Sequence, residues 1–197
     1  MGCDLWYPII FAVDIPKNVC NPHILGQFGH VPGGDPTHLC CILLTMQVTL
    51  AHIGAPSRSG DPYEAQVSDY LKRCVGVARC TAEAFKTETA FFDWLARQKG
   101  RTEPSLLLFD GRGRQMSSEA LADWLGGRRS EGTQHVVFAI GPADGWSDNA
   151  RSEAKRRGAL ISLGPMTLAH QLARLVMAEQ LYRACTILTG HPYHKGH

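Results

Sequence analysis

From residue 46 onward, short apolar runs alternate with stretches in which apolar residues recur every three or four positions. The run VTLAHIG (48–54) is apolar and β-branched, and the segment APSRSGDP breaks it. Asp61-Pro62 opens a helix with proline in the first turn, and Val67, Tyr70, Leu71 and Cys74 share one face. Residues 77–85 alternate loosely as a strand, and 87–99 are helical with Phe91, Phe92 and Leu95 on one side. Ser105 to Phe109 reads as a buried strand ending at Asp110-Gly111, and Ser117-Ser118-Glu119 caps a helix to Arg129. His135 to Ile140 is the next strand, Ser147 caps a helix to about Arg157, and Ala159 to Leu163 is a short strand. A long helix then runs from about Thr167 to Leu188. Strands separated by helices predict an α/β fold with a mostly parallel sheet covered by helices on both faces. Ligands in such folds sit beyond the carboxyl ends of the strands. Three glycine-bearing turns lie there: Asp110-Gly-Arg-Gly-Arg114, Gly141-Pro-Ala-Asp-Gly145 and Gly164-Pro-Met-Thr167.

The first 45 residues do not share this rhythm. Prolines at 8, 16, 22, 32 and 36 interrupt them, and no helical or alternating period is sustained. Cys20 and His23 stand as C-x-x-H with His38, Cys40 and Cys41 following, a ligand set of the type zinc takes. Adjacent cysteines serve one tetrahedral centre poorly, so no metal is expected. The preferred reading is a non-working extension, 1–45, upstream of a true start at Met46, with one domain over 46–197.

Composition adds little. The chain is 44% hydrophobic and 19% charged with a net charge of +2, the profile of an ordinary globular protein. Lys17 stands against Asp4, Asp14 and Asp35, whereas 19 basic and 15 acidic side chains follow, leaving the longer part at +4. No run approaches the roughly 18 apolar residues of a membrane helix, and YPIIFAV lacks the basic flank of a secretion signal. A reducing cytoplasm, free thiols and no membrane partner are expected.

The chemistry is narrowed mainly by exclusion. The first strand leads into APSRSG rather than G-x-G-x-x-G, no G-x-x-x-x-G-K-[ST] occurs, and no G-x-S-x-G elbow presents a serine. What is left is a ligand held by main-chain groups and apolar walls, where glycine lets it approach the backbone. Asp110 can bind a ligand or only begin its turn, Asp144 can orient a cofactor or only close its loop, and Glu179 with Arg183 has the i,i+4 spacing of a helix ion pair. The last seven residues, HPYHKGH, are unusually rich in groups that bond phosphate, stack on a base or move a proton.

Four segments, LLLFDGRGRQMSSEALADWL, FAIGPADG, MTLAHQLARLVMAEQLYRA and the terminal HPYHKGH, together resemble one family. It is the bacterial 23S ribosomal RNA pseudouridine N3-methyltransferases, large-subunit methyltransferase H of the SPOUT class, over residues 46–197. The resemblance implies a SPOUT-type α/β knot, a deep trefoil in about 135–197, which periodicity alone does not suggest. It also implies a homodimer, S-adenosyl-L-methionine as cofactor, and 23S rRNA in the assembled ribosome as partner. Carried over by position, the cofactor contacts are Phe109, Gly141, Leu163, Gly164, Pro165, Met166, Thr167 and Leu168. This chain departs from the family with Phe109 in place of leucine and Pro142 in place of a second glycine, which removes one donor.

The same resemblance gives Arg183, His191, Tyr193, His194 and Lys195 to RNA, with His194, Arg183 and Tyr193 at the chemistry. Tyr193 can stack on a base, His194 can meet phosphate or take the N3 proton, and Lys195 can meet the backbone as a point charge. Two alternatives stand beside this: an RNA- or ribosome-binding module without catalysis, and a methyltransferase for another RNA.

Overall fold

A computed structural model describes residues 46–56, 60–74, 76–98, 100 and 102–195, with side chains as far as Tyr193. Cys20, His23, His38, Cys40 and Cys41 lie outside the described residues. Five strands alternate with five helices: β1 (Met46–Ile53), α1 (Pro62–Arg73), β2 (Ala78–Phe85), α2 (Glu88–Arg97), β3 (Ser105–Gln115), α3 (Ser118–Ser130), β4 (His135–Ile140), α4 (Asp148–Arg157), β5 (Gly158–Ser162) and α5 (His170–Thr189). A 3-10 turn, Pro192–Lys195, follows. The helix starts come from the local sequence: the side chains of Asp61, Thr87, Ser117 and Ser147 accept first-turn N–H groups of α1 to α4.

All strand pairs are parallel, in the order β2-β1-β4-β3-β5. All six residues of β4 are buried, as a central strand covered on both faces requires. On one face Val48, Leu50, Leu107 and Phe138 pack under α1, α3 and α5 through Val67, Leu71, Leu121, Leu125, Met177 and Leu181. On the other, Leu106, Leu108, Val137 and Ala139 meet Phe91 and Leu95 of α2 and Ala150 and Ala154 of α4. Burying each of these large side chains contributes about 1.5–3 kcal/mol.

The expected architecture holds, with two departures. The third strand does not end at Asp110. It continues to Gln115 because Phe109 and Arg114 both pair with Ile161, so residues 110–113 leave the ladder as a bulge before pairing resumes. The last helix starts at His170 rather than about Thr167, because residues 163–169 form an extended loop.

Candidate cofactor and substrate site

The order β4-β3-β5 sets the three glycine-bearing turns side by side at the carboxyl edge of the sheet. The turn after β5 is the most open. Ser162 Oγ accepts the Gly164 N–H at 3.2 Å and donates to the Gly164 carbonyl at 3.1 Å, while Gly164 takes a φ of 116° that favours glycine. Beyond it Pro165, Met166 and Thr167 are exposed, Met166 at 79%, and Leu168 is half-buried. Ala169 at the N-cap of α5 offers no side-chain acceptor to the first helical turn.

Beside this loop is a cavity of about 260 Å³, just below the range of about 300–1,000 Å³ usual for small-molecule sites. Leu121, Ile161, Leu163, Val176 and Met177 give it apolar walls, and Gln115, Ser117 and Gln180 place polar groups in it. Of the expected cofactor residues, Leu163 and Gly164 line the cavity, and Phe109, Gly141 and residues 165–168 do not.

Phe109 and Gly141 are instead joined by Trp146, a residue the sequence reading passed over. The buried indole Nε1–H donates to the Phe109 carbonyl at 2.9 Å, and a Cβ on Gly141 would lie 2.8 Å from that same Nε1. Glycine at 141 is needed so that the ring can lie flush on the turn. The signal for this was a tryptophan in a polar turn, since a buried indole N–H takes an acceptor. Arg151 of α4 makes a second tie, donating to the Trp146 carbonyl and to Asp110 Oδ2 at 3.1 Å. Asp110 therefore organises its own turn, one of the two roles the sequence leaves it, and Asp144 lies exposed in a turn closed by Gly145 N–H to Pro142 O at 2.9 Å.

The tail folds back on α5. Gly190 ends the helix in the left-handed conformation and the His191 N–H returns to the Thr186 carbonyl at 2.9 Å. Glu179 is the hub beneath it. Its Oε1 accepts from Arg183 Nε and Nη2 at 3.0 and 2.6 Å and from Tyr193 Oη at 3.2 Å. Its Oε2 accepts from Gln180 Nε2 at 2.7 Å, and Gln180 in turn lines the cavity. The Arg183 guanidinium lies 5.1 Å from the Tyr193 ring centre, and Tyr182 packs edge-on to Tyr193 at 4.7 Å. Arg183 thus forms the i,i+4 pair with Glu179 and also abuts the tail. Burial, with a Tyr70 hydrogen bond and the Glu179 charge, pushes Tyr193 up to about 12, so it stays a neutral phenol near pH 7. His191 is exposed, and the backbone of His194 and Lys195 lies in the 3-10 turn beside Tyr193.

His170 supports the site from behind. Its ring meets His52 edge-on at 5.4 Å, and its Nε2 is buried without a hydrogen-bond partner. Burial lowers both imidazoles, His52 to about 4. Among the described residues no cluster of His, Cys, Asp or Glu can hold a metal ion, and no helix is long and apolar enough to cross a membrane.

Comparison with known proteins fits this geometry. A family model described as "Predicted SPOUT methyltransferase" matches residues 46–194. The ribosomal RNA large subunit methyltransferase H of Koribacter versatilis is 43% identical over 152 residues, 77% of this chain and all of that protein. The Deinococcus radiodurans protein of the same name is 41% identical over 156 residues, with 77% and 100% covered. A solved SpoU methyltransferase from Streptomyces viridochromogenes, in complex with AdoMet, aligns at a TM-score of 0.39 and 14% identity over 70% of this chain and 57% of that one. That likeness is too slight to add to the assignment. Residues 46–194 and the full-length match to these relatives carry it: the chain belongs to the SPOUT methyltransferases, among the large-subunit methyltransferase H proteins, and is a methyltransferase.

Proposed function

We propose that the protein transfers a methyl group from S-adenosyl-L-methionine to N3 of a pseudouridine in the 23S rRNA of the large ribosomal subunit. The observation that carries this reading is the junction of cavity and tail. Gln180 reaches from the cavity to Glu179, and Glu179 holds Arg183 and Tyr193 beside it. The site's residues suit the cofactor: apolar walls, a few polar groups, and a Gly164 loop whose main chain a ligand can approach. When bound, the cofactor would supply an electrophilic methyl on a sulfonium. Leu163 and Gly164 would hold it from the cavity wall and residues 165–168 from the loop beside it, with Phe109 and Gly141 acting from behind, through the backbone that Trp146 fastens.

Tyr193 presents an aromatic face and a phenol to the RNA, and the relatives act, by their printed names, on large-subunit RNA. The N3 proton of a uracil-type ring is lost well above neutral pH, so His194 takes it, while Arg183 and Lys195 lower the cost of the ring anion. His191 and Lys195 add phosphate contacts. Residues 135–197 carry a trefoil knot, and the catalytic unit spans 46–197. Exposed Leu163, Met166 and Leu172 favour a homodimer through that face, acting in the cytoplasm. Calorimetry with S-adenosyl-L-methionine tests the cofactor half: micromolar binding is expected, and no heat at millimolar ligand would defeat it. Light scattering showing only monomer would defeat the dimer.

A further inference from the structure

The third strand carries a built feature for which the cofactor reading has no use. Phe109 and Arg114 share Ile161 as partner, so Asp110, Gly111, Arg112 and Gly113 are extruded between them. Gly113 is fitted to its place, since a Cβ there would lie 2.3 Å from the Ile161 carbonyl carbon. The bulge is also tied at its base. Asp110 Oδ1 accepts the Arg112 N–H at 2.8 Å, and Oδ2 pairs with Arg151, whose side chain is 15% exposed against 7% for Asp110. A tethered bulge at the carboxyl end of a strand is a device for aiming a side chain.

What it carries is positive charge. Arg112 and Arg114 are both exposed. Arg112 acts through space on Asp148, a carboxylate that Arg151 already engages at 2.7 Å. The next residues, Gln115 to Ser117, line the cavity. The bulge therefore sets two guanidiniums at the carboxyl end of β3, Arg114 directly before the cavity-lining residues and Arg112 toward Asp148 at the start of α4. Two guanidiniums beside a site that takes RNA suit phosphodiester oxygens, which arginine bonds in bidentate fashion.

On the reading that the substrate is ribosomal RNA, we propose that the 110–114 bulge is a second RNA-backbone contact, with Arg112 and Arg114 each neutralising a phosphate. The tail grips the target nucleotide's side of the site and the bulge grips flanking backbone, so register is set from two points.

Binding of the full chain to large ribosomal subunits, followed over about 50–200 mM salt, tests this. Arg112→Ala and Arg114→Ala should each reduce the slope of log affinity against log salt by about 0.7–0.9, and the double variant by about twice that. Melting temperature and S-adenosyl-L-methionine affinity should not move. Arg79→Ala, exposed at the opposite edge of the sheet, is the control for net charge and should leave the slope unchanged. An unaltered slope in the double variant, or an equal loss from Arg79→Ala, overturns the bulge as a contact. Failure of the unaltered protein to bind the subunits at all overturns the ribosomal reading, and this surface with it.

Discussion

Acid should weaken this fold through His52, and the size of the effect follows from its surroundings. His52 is 3% exposed on β1 and its Nδ1 has no hydrogen-bond partner. Burial is the largest cause of its low pKa. The Arg174 cation and His170 lower it further, while the Ala55 carbonyl and the Glu64 carboxylate oppose them. The folded-state value near 4 lies below the ordinary 6.5, so the unfolded chain binds the proton more readily. The contribution is therefore complete above pH 6.5, falls as pH drops toward 4, and changes no further below that. A fall from 6.5 to about 4 corresponds to at most about 3 kcal/mol. Urea unfolding at steps between pH 7 and 4 should show wild type losing about that much more than His52→Gln. Burial also lowers His135 and His170, so both proteins will retain part of the acid sensitivity and the difference curve isolates His52. If the two proteins lose stability in parallel over this range, burial of a neutral His52 is not what the acid limb reports.

Other consequences are as direct. Trp146→Phe keeps an aromatic ring, though a smaller one, and leaves the buried Phe109 carbonyl without its donor, which should cost about 1–3 kcal/mol in unfolding and weaken cofactor affinity, read by calorimetry. Gly141→Ala drives a methyl into the Trp146 indole and should destabilise by about 1–3 kcal/mol, with the melting temperature as readout. His194→Ala should slow single-turnover methyl transfer by about 100-fold with cofactor binding intact; a normal rate at saturating ribosome removes it as the base. A chain beginning at Met46 should fold and transfer methyl groups as the full chain does, and its inactivity would make residues 1–45 a working part.

The alternation of strand and helix was legible because four of the five helices start at a side-chain cap and most elements keep one period. Ser117 and Ser147 accept the N–H groups that the sequence pattern assigns to them, and the uniformly apolar HVVFAI is the central strand. What was not legible depends on contacts across the chain. Asp110-Gly111 reads locally as a strand end, and only Ile161 on another strand carries the ladder past it. Phe109 and Gly141 are named by position in the family and brought together by the β3–β4 register, yet the Trp146 indole that fastens them is encoded by no local period. The tail's composition pointed to function, whereas its attachment through Glu179 is visible only in three dimensions.

The central claim is settled most directly by incubating the protein with methyl-labelled S-adenosyl-L-methionine and large ribosomal subunits that lack the modification, then digesting the 23S rRNA to nucleosides. Mass spectrometry should find the label in a single 3-methylpseudouridine. Label on another nucleoside, or none in RNA from a protein that binds the cofactor, would contradict the account.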